Sequence, residues 1–245
     1  MSLPSAKPIA FNRRLNAEWI YEGLRLSSAG EPAEAWLKRI TAMVKAEVAG
    51  EESAKKSMRY LRHIFLEKSS FPRLRAEAFA LYQLSPEPNR ETVLSWGLTT
   101  IAYPFLNEAT AAIGRLHRVQ PHFKLEQFLR RLCDTFGEKE TVRRSGRYLL
   151  GMLVDLGYVT RVTAGTYTLS GPGEIRDDAL AGWLLKTWFA INSPGTPIDR
   201  TSLSQHPSLC FFNASHLVES GLRAGTLTLD RMSFTQDTVN LRTDV

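Results

Sequence analysis

Cysteine is scarce. Only Cys133 and Cys210 occur in 245 residues, so no disulfide framework can be built; one bridge is the maximum, and two free thiols are the expectation. Long apolar runs are absent too. No uncharged, continuously apolar run approaches the ~18 residues a membrane span needs, so no membrane partner is expected. The opening residues MSLPSAKPIAFNRRLNAEW lack a continuous apolar core and a small-residue cleavage site. They do not read as a secretory signal, and the expected compartment is the cytoplasm. A Gly-rich phosphate loop with lysine is also missing. Gly171-Pro172-Gly173 is a poor substitute, because proline removes a backbone donor. No serine nucleophile elbow occurs. Of the five histidines, His206 and His216 with Cys210 come nearest to a zinc set, but they lack a fourth ligand. His117 and His122 flank a turn and read as surface groups. Magnesium-dependent chemistry needs clustered carboxylates. Asp155 stands alone in an apolar stretch, and Glu138 and Glu140 sit among basic residues as helix N-terminal charges. The expectation is a protein that is not an enzyme, with no metal and no cofactor.

What is present is positive charge, unevenly spread. The chain is 43% hydrophobic and 23% charged, ordinary for one or two globular domains, and carries a net charge of +6. Residues 1–170 hold 25 Lys+Arg against 17 Asp+Glu, a net of +8; residues 171–245 hold 6 against 8, a net of −2. This division suits a nucleic-acid-facing region followed by a segment of another kind, or a basic surface that is merely solvated.

Apolar periodicity predicts mostly helix. Residues 1–12, with Pro4 and Pro8, read as a loose arm. Leu15, Trp19, Ile20 and Leu24 then mark a first helix. Pro32 suits the first turn of a second, with Trp36, Leu37, Ile40, Met43, Val44 and Val48 on one face. A third, from about Glu52 to Leu66, sets Met58, Leu61, Ile64 and Phe65 opposite Lys55, Lys56, Arg59 and Arg62. No acid lies between Ser53 and Leu66, so this basic face is a candidate DNA reader or a solvated surface. A fourth helix spans about Pro72–Leu84, and Ser85-Pro86-Glu87-Pro88-Asn89 is a turn or short linker. Helices follow at about 90–102, 104–117 and 124–136.

The pattern changes between Lys124 and Ser170. The helix KLEQFLRRLCDTF ends at Gly137, and a second helix begins in EKETVRRSGRYLLGMLVDLG, where Gly157 suits a left-handed cap. YVTRV and TYTLS then flank Thr163-Ala164-Gly165 as a hairpin. Helix, turn, helix and hairpin is the order of a winged helix-turn-helix. In that fold the N-terminal half of the second helix enters the major groove. Here that half offers Lys139, Thr141, Arg143, Arg144, Ser145 and Arg147 as candidate DNA contacts, with Arg161 on the wing. Arginine pairs bidentately with guanine or phosphate. Val159, Val162, Tyr167 and Leu169 are expected to pack the wing against the helices. Winged helices also serve in protein contacts that involve no nucleic acid.

Three stretches carry a resemblance to a family: RLNAEWIYEGL with the amphipathic helix after it, SAKKSMRYLRHIFL, and the run from AYPFLNEAT through TVRRSGRYLLGMLVDLGYV. With them, the first 170 residues resemble the BrxA family of BREX phage-defence systems, small helical proteins similar to the antitermination factor NusB. The resemblance implies double-stranded DNA binding within a defence complex, without catalysis, and other phage-defence proteins as partners. Residues 171–245 extend beyond that family core.

In the C-terminal segment, ALAGWLLKTWFAI reads as a buried or interface helix. A Ser- and Pro-rich loop, a short helix near Ala214–Glu219, and the runs TLTLDRMSF and TVNLRT, alternating like a hairpin, follow it. Together they suggest a second, degenerate winged unit. The expected fold is mainly α: residues 1–120 a helical bundle with a possible first helix-turn-helix, 121–170 the winged module, 171–245 a small α+β segment. Two other functions fit the same pattern. One is a protein-interaction adaptor with Trp183 and Trp188 as its hot spot. The other is an RNA-binding, NusB-like protein, which the shortage of aromatics among the basic residues disfavours.

Overall fold

The computed structural model describes residues 11–85, 87–171, 173–231 and 237–242. The expected arm over residues 1–12 lies outside these except for its last two residues. So do Pro86 in the predicted turn, Pro172 of Gly171-Pro172-Gly173, and Met232, Ser233 and Phe234 at the end of TLTLDRMSF. Among the described residues the chain is mainly helical, with eleven α-helices and two small antiparallel sheets. Among the described residues no helix is long and apolar enough to cross a membrane.

Five helices open the chain: α1 (Ala17–Ser28), α2 (Ala33–Glu47), α3 (Glu51–Phe65), α4 (Pro72–Leu84) and α5 (Arg90–Ala102). The inward residues of α1, α2 and α3 are those the periodicity predicts, whereas α5 is buried without a break from Val93 to Ile101. On α3, Met58, Leu61, Ile64 and Phe65 are all buried; on α2 the most buried are Trp36, Ile40 and Val44. Asn16 starts α1 by accepting the Glu18 amide at 3.1 Å, and proline opens α4.

The next six elements are α6 (Phe105–His117), β1 (His122–Lys124), α7 (Leu125–Phe136), α8 (Glu140–Asp155), β2 (Val159–Thr163) and β3 (Thr166–Leu169). Their strands pair antiparallel in the order β1-β3-β2. After α9 (Asp178–Asn192) come β4 (Ile198–Asp199), α10 (Arg200–Ser204), a 3-10 turn at Pro207–Leu209, α11 (Ala214–Arg223), β5 (Leu227–Arg231) and β6 (Asp237–Leu241). This second sheet has the order β4-β6-β5. One connectivity, helix–strand–helix–helix–hairpin with the first strand on the outer edge beside the last, therefore occurs twice. The three-residue β1 and two-residue β4 are too short to leave a period-2 signal, and neither was legible in the sequence.

One hydrophobic core runs from Phe11 to Val239. α9 packs on α4, α5 and α11, and α6 packs on the 3-10 turn. Trp183 and Trp188 are each 1% exposed. The Trp183 indole donates to the Leu74 carbonyl at 2.8 Å, and the Trp188 indole to Ser208 Oγ at 2.9 Å. They are core anchors, so they cannot form the exposed hot spot of the adaptor reading. Glu87, in the predicted linker, is also buried. Its carboxylate accepts the amides of Arg176 at 2.7 Å and Asp177 at 3.2 Å, which ties the α4–α5 turn to the entry of α9. Both cysteines are free.

Candidate nucleic-acid interface

The residues of α8 sort by helical phase. Val142, Ser145, Gly146, Leu149, Leu150, Met152 and Leu153 face inward. They meet Phe128, Leu129, Leu132 and Cys133 of α7. Gly146 sits at the crossing, where an added Cβ would lie 2.7 Å from Leu129 Cδ2 and 2.8 Å from Leu132 Cδ1. This explains the glycine in mid-helix: it lets the two helices approach. The outward face carries Glu140, Thr141, Arg144 and Arg147. Ser145 is only 2% exposed, because position 145 shares the inward face with 142 and 149, and the expectation that it contacts DNA is corrected.

The cationic side chains differ in how they are held. Arg143 is gripped twice, by Glu126 at 2.6 Å and Glu138 at 3.1 Å. Arg147 reaches Glu140 at 3.3 Å. Arg144, Lys139 and Arg161 are exposed, with no side-chain hydrogen bond or ion pair among the described residues. Beneath Arg143 lies the Cys133 thiol, whose pKa burial pushes up. Asp155 at the far end of α8 is engaged as well. It binds the Arg14 guanidinium, which lies over Gly151, so the chain before α1 crosses the second half of α8. The open part of α8 is its first half.

The carboxylates holding Arg143 give a direct prediction. Removing their charge in Glu126→Gln/Glu138→Gln frees the guanidinium and takes two negative charges from beside any bound polyanion. Duplex affinity at 0.15 M salt is expected to rise about 3–10-fold. Fluorescence anisotropy with a labelled duplex checks this; an affinity at or below wild type contradicts it.

The predicted wing is short. Thr163 pairs with Thr166 across Ala164-Gly165, and the Leu125 amide donates to the Gly165 carbonyl at 2.9 Å. The hairpin tip is thus fastened to the start of α7. Val159 is buried, and Tyr167 stacks on Phe123 with ring centroids 5.9 Å apart. Val162 is 48% exposed and does not pack inward as expected. A register shift between Arg161 and Thr163 makes it the extra residue of a bulge.

The basic face of α3 is exposed as predicted, but acids outside the expected window reach it. Lys55 pairs with Glu52 at 3.0 Å and Glu51 at 3.4 Å, and Arg62 lies 3.9 Å from Glu67. Arg59 lies over the Tyr60 ring at 5.7 Å, and Lys56 is unpaired among the described residues. α3 packs mainly on α1, α2 and α5, whereas α8 packs on α6, α7 and β2. The two basic faces belong to different parts of the bundle.

Sequence reasoning passed over four arginines: Arg115 and Arg118 at the end of α6, and Arg130 and Arg131 on α7. All are exposed and without a side-chain partner among the described residues. The signal was available, since Glu126 is the only acid between 115 and 131. By contrast, Arg200, Arg223 and Arg231 of the second unit all pair with carboxylates: Arg223 with Asp178 at 2.8 Å, Arg231 with Asp237 at 3.6 Å, and Arg200 with Glu219. Free guanidinium groups are concentrated in the first unit.

Compared with protein-family models, curated proteins and solved structures, the chain has no match in any of the three.

Proposed function

We propose that the protein is a non-enzymatic, cytoplasmic binder of double-stranded DNA. In this reading residues 105–169 form a winged helix-turn-helix whose recognition helix is α8, and the chain serves in a BREX-type phage-defence assembly. The defence context rests on the BrxA-like residue patterns alone. One observation carries the DNA reading: Arg115, Arg118, Arg130, Arg131, Arg144 and Arg161 lie in one unit without a carboxylate partner, while Arg200, Arg223 and Arg231 of the second unit are neutralised and, on its described strands and their flanks, Arg242 alone is left without one. Free arginine forks suit phosphate and guanine edges. The helix–strand–helix–helix–hairpin order supports the winged reading. With Ser145 removed, the contact set is Lys139, Thr141, Arg143, Arg144, Arg147 and Arg161, and the α3 face is secondary.

Duplex is favoured over single-stranded RNA by a second observation. The large apolar side chains exposed among the described residues are Leu84, Val119, Val162 and Leu229, none of them aromatic. Aromatic rings among the described residues are at most partly exposed, which favours a duplex over unpaired bases that stack on open rings. The test is a duplex titration at two salt concentrations. Contact with six to ten phosphates weakens binding roughly 10³–10⁵-fold between 50 and 200 mM salt. Little salt dependence, or RNA outcompeting duplex in the same titration, would count against this function.

A further inference from the structure

The cations that α8 does not supply form a surface of their own. Gln120, just past α6, donates from Nε2 to Gln127 Oε1 at 2.9 Å, and the same oxygen accepts the Lys124 amide at 2.7 Å. This junction brings the exit of α6, the end of β1 and the first turn of α7 together. Gln127 and Arg131 are four residues apart on α7, so they share its outer face, and Arg130 borders it. Arg118 lies two residues before Gln120. His117, Arg118 and His206 line an adjoining cavity of about 500 Å³ whose wall contains no carboxylate. Lys124, Arg118, Arg130 and Arg131 are all exposed and unpaired among the described residues. The inner face of α7 is occupied by Phe128, Leu129, Leu132 and Cys133. This cationic ridge therefore turns to solvent on the side of α7 away from its packing partners.

An unpaired surface guanidinium that meets a phosphate displaces a counterion condensed on the duplex without first giving up a protein partner. Arg143 must first be separated from two carboxylates. The ridge cations have no such partner to give up, although the exposed Asp134 lies one turn beyond Arg130 and Arg131 on α7. We infer that the ridge formed by Arg118, Lys124, Arg130 and Arg131 is a second phosphate-binding surface, which holds the DNA backbone flanking the segment engaged by α8. The inference rests on the duplex-binding reading of the same unit.

The experiment compares the wild type with Arg118→Ala/Arg130→Ala/Arg131→Ala and with a control carrying lysine at the same three positions. Duplex affinity is measured across a salt series, and thermal unfolding is followed by circular dichroism. The expected result for the alanine variant is a shallower dependence of log Kd on log salt, by about 0.9 for each phosphate lost. Its affinity at 0.15 M salt should fall about tenfold or more, with unfolding unchanged and the lysine variant near wild type. An unchanged slope and an affinity within about twofold of wild type would make the ridge a solvated surface and leave the α8 site standing. Lysine and alanine variants that weaken equally would also overturn it, because charge alone would not be the cause. A wild type that binds no duplex at any salt concentration would remove the DNA reading itself, and the ridge with it.

Discussion

Replacing Arg143, Arg144 and Arg147 together with alanine is expected to cut duplex affinity by about 100-fold or more at 0.15 M salt without moving the thermal unfolding curve. The three residues contribute unequally. Arg144 is the free one on the outward face of α8, so Arg144→Ala alone should cost about 5–10-fold. Arg147 is held loosely by one exposed carboxylate at 3.3 Å, a contact that a phosphate can replace at little cost. Removing Arg143 acts twice: it deletes a cation and leaves Glu126 and Glu138 uncompensated at the surface. The fold should tolerate all three changes, because these are surface ion pairs and the core contacts of α8 come from Val142, Leu149 and Leu153. Anisotropy titrations and circular dichroism melts check both halves. A triple variant that binds like its parent removes α8 from the interface.

The largest effect on stability is expected at Gly114. Here α6 lies against the 3-10 turn, and an added Cβ would stand 2.1 Å from the Pro207 carbonyl oxygen and 2.9 Å from its carbon. The obstacle is backbone, which cannot rotate aside. Gly114→Ala should therefore destabilise by about 3 kcal/mol or more, lowering the unfolding midpoint by about 6–12 °C. Gly146→Ala offers a contrast at similar burial. Its neighbours are the tips of Leu129 and Leu132, which can change rotamer, and alanine regains roughly 1 kcal/mol of helix propensity. Its net effect should be small, under about 1 kcal/mol. Denaturant melts of the two variants test the ranking; equal losses would mean that the two crossings yield in the same way.

The helices were legible because their faces obey a 3.6-residue period over three or more turns. The α3 stripe buries the residues that spacing selects, whereas α9 was legible as a nearly unbroken apolar run and is buried almost all round. Other features are set by partners distant in sequence. Glu87 looks like a linker residue until α9 places two amides over it. β1 exists because β3 comes alongside it, with Phe123 opposite Tyr167. Ser145 was misplaced for a different reason. It was chosen by composition, as a small polar residue in a basic run, when the phase shared with Val142 and Leu149 already pointed it inward. The candidate site was legible as charge but not as pairing: Glu126 belongs to another helix, and nothing local to Arg143 announces it. The four arginines outside α8 are spread over α6 and α7, so only the shortage of acids between residues 115 and 131 marks them in the sequence.

The hydrogen bond from the Leu125 amide to the Gly165 carbonyl joins the tip of the hairpin to the first residue of α7. The hairpin tip therefore does not hang free, and Arg161 is carried on a strand pair anchored to α7. Under the proposed duplex reading, a wing fastened in this way leaves adjustment of shape to the nucleic acid, and sites that bend easily should be bound more tightly than stiff ones.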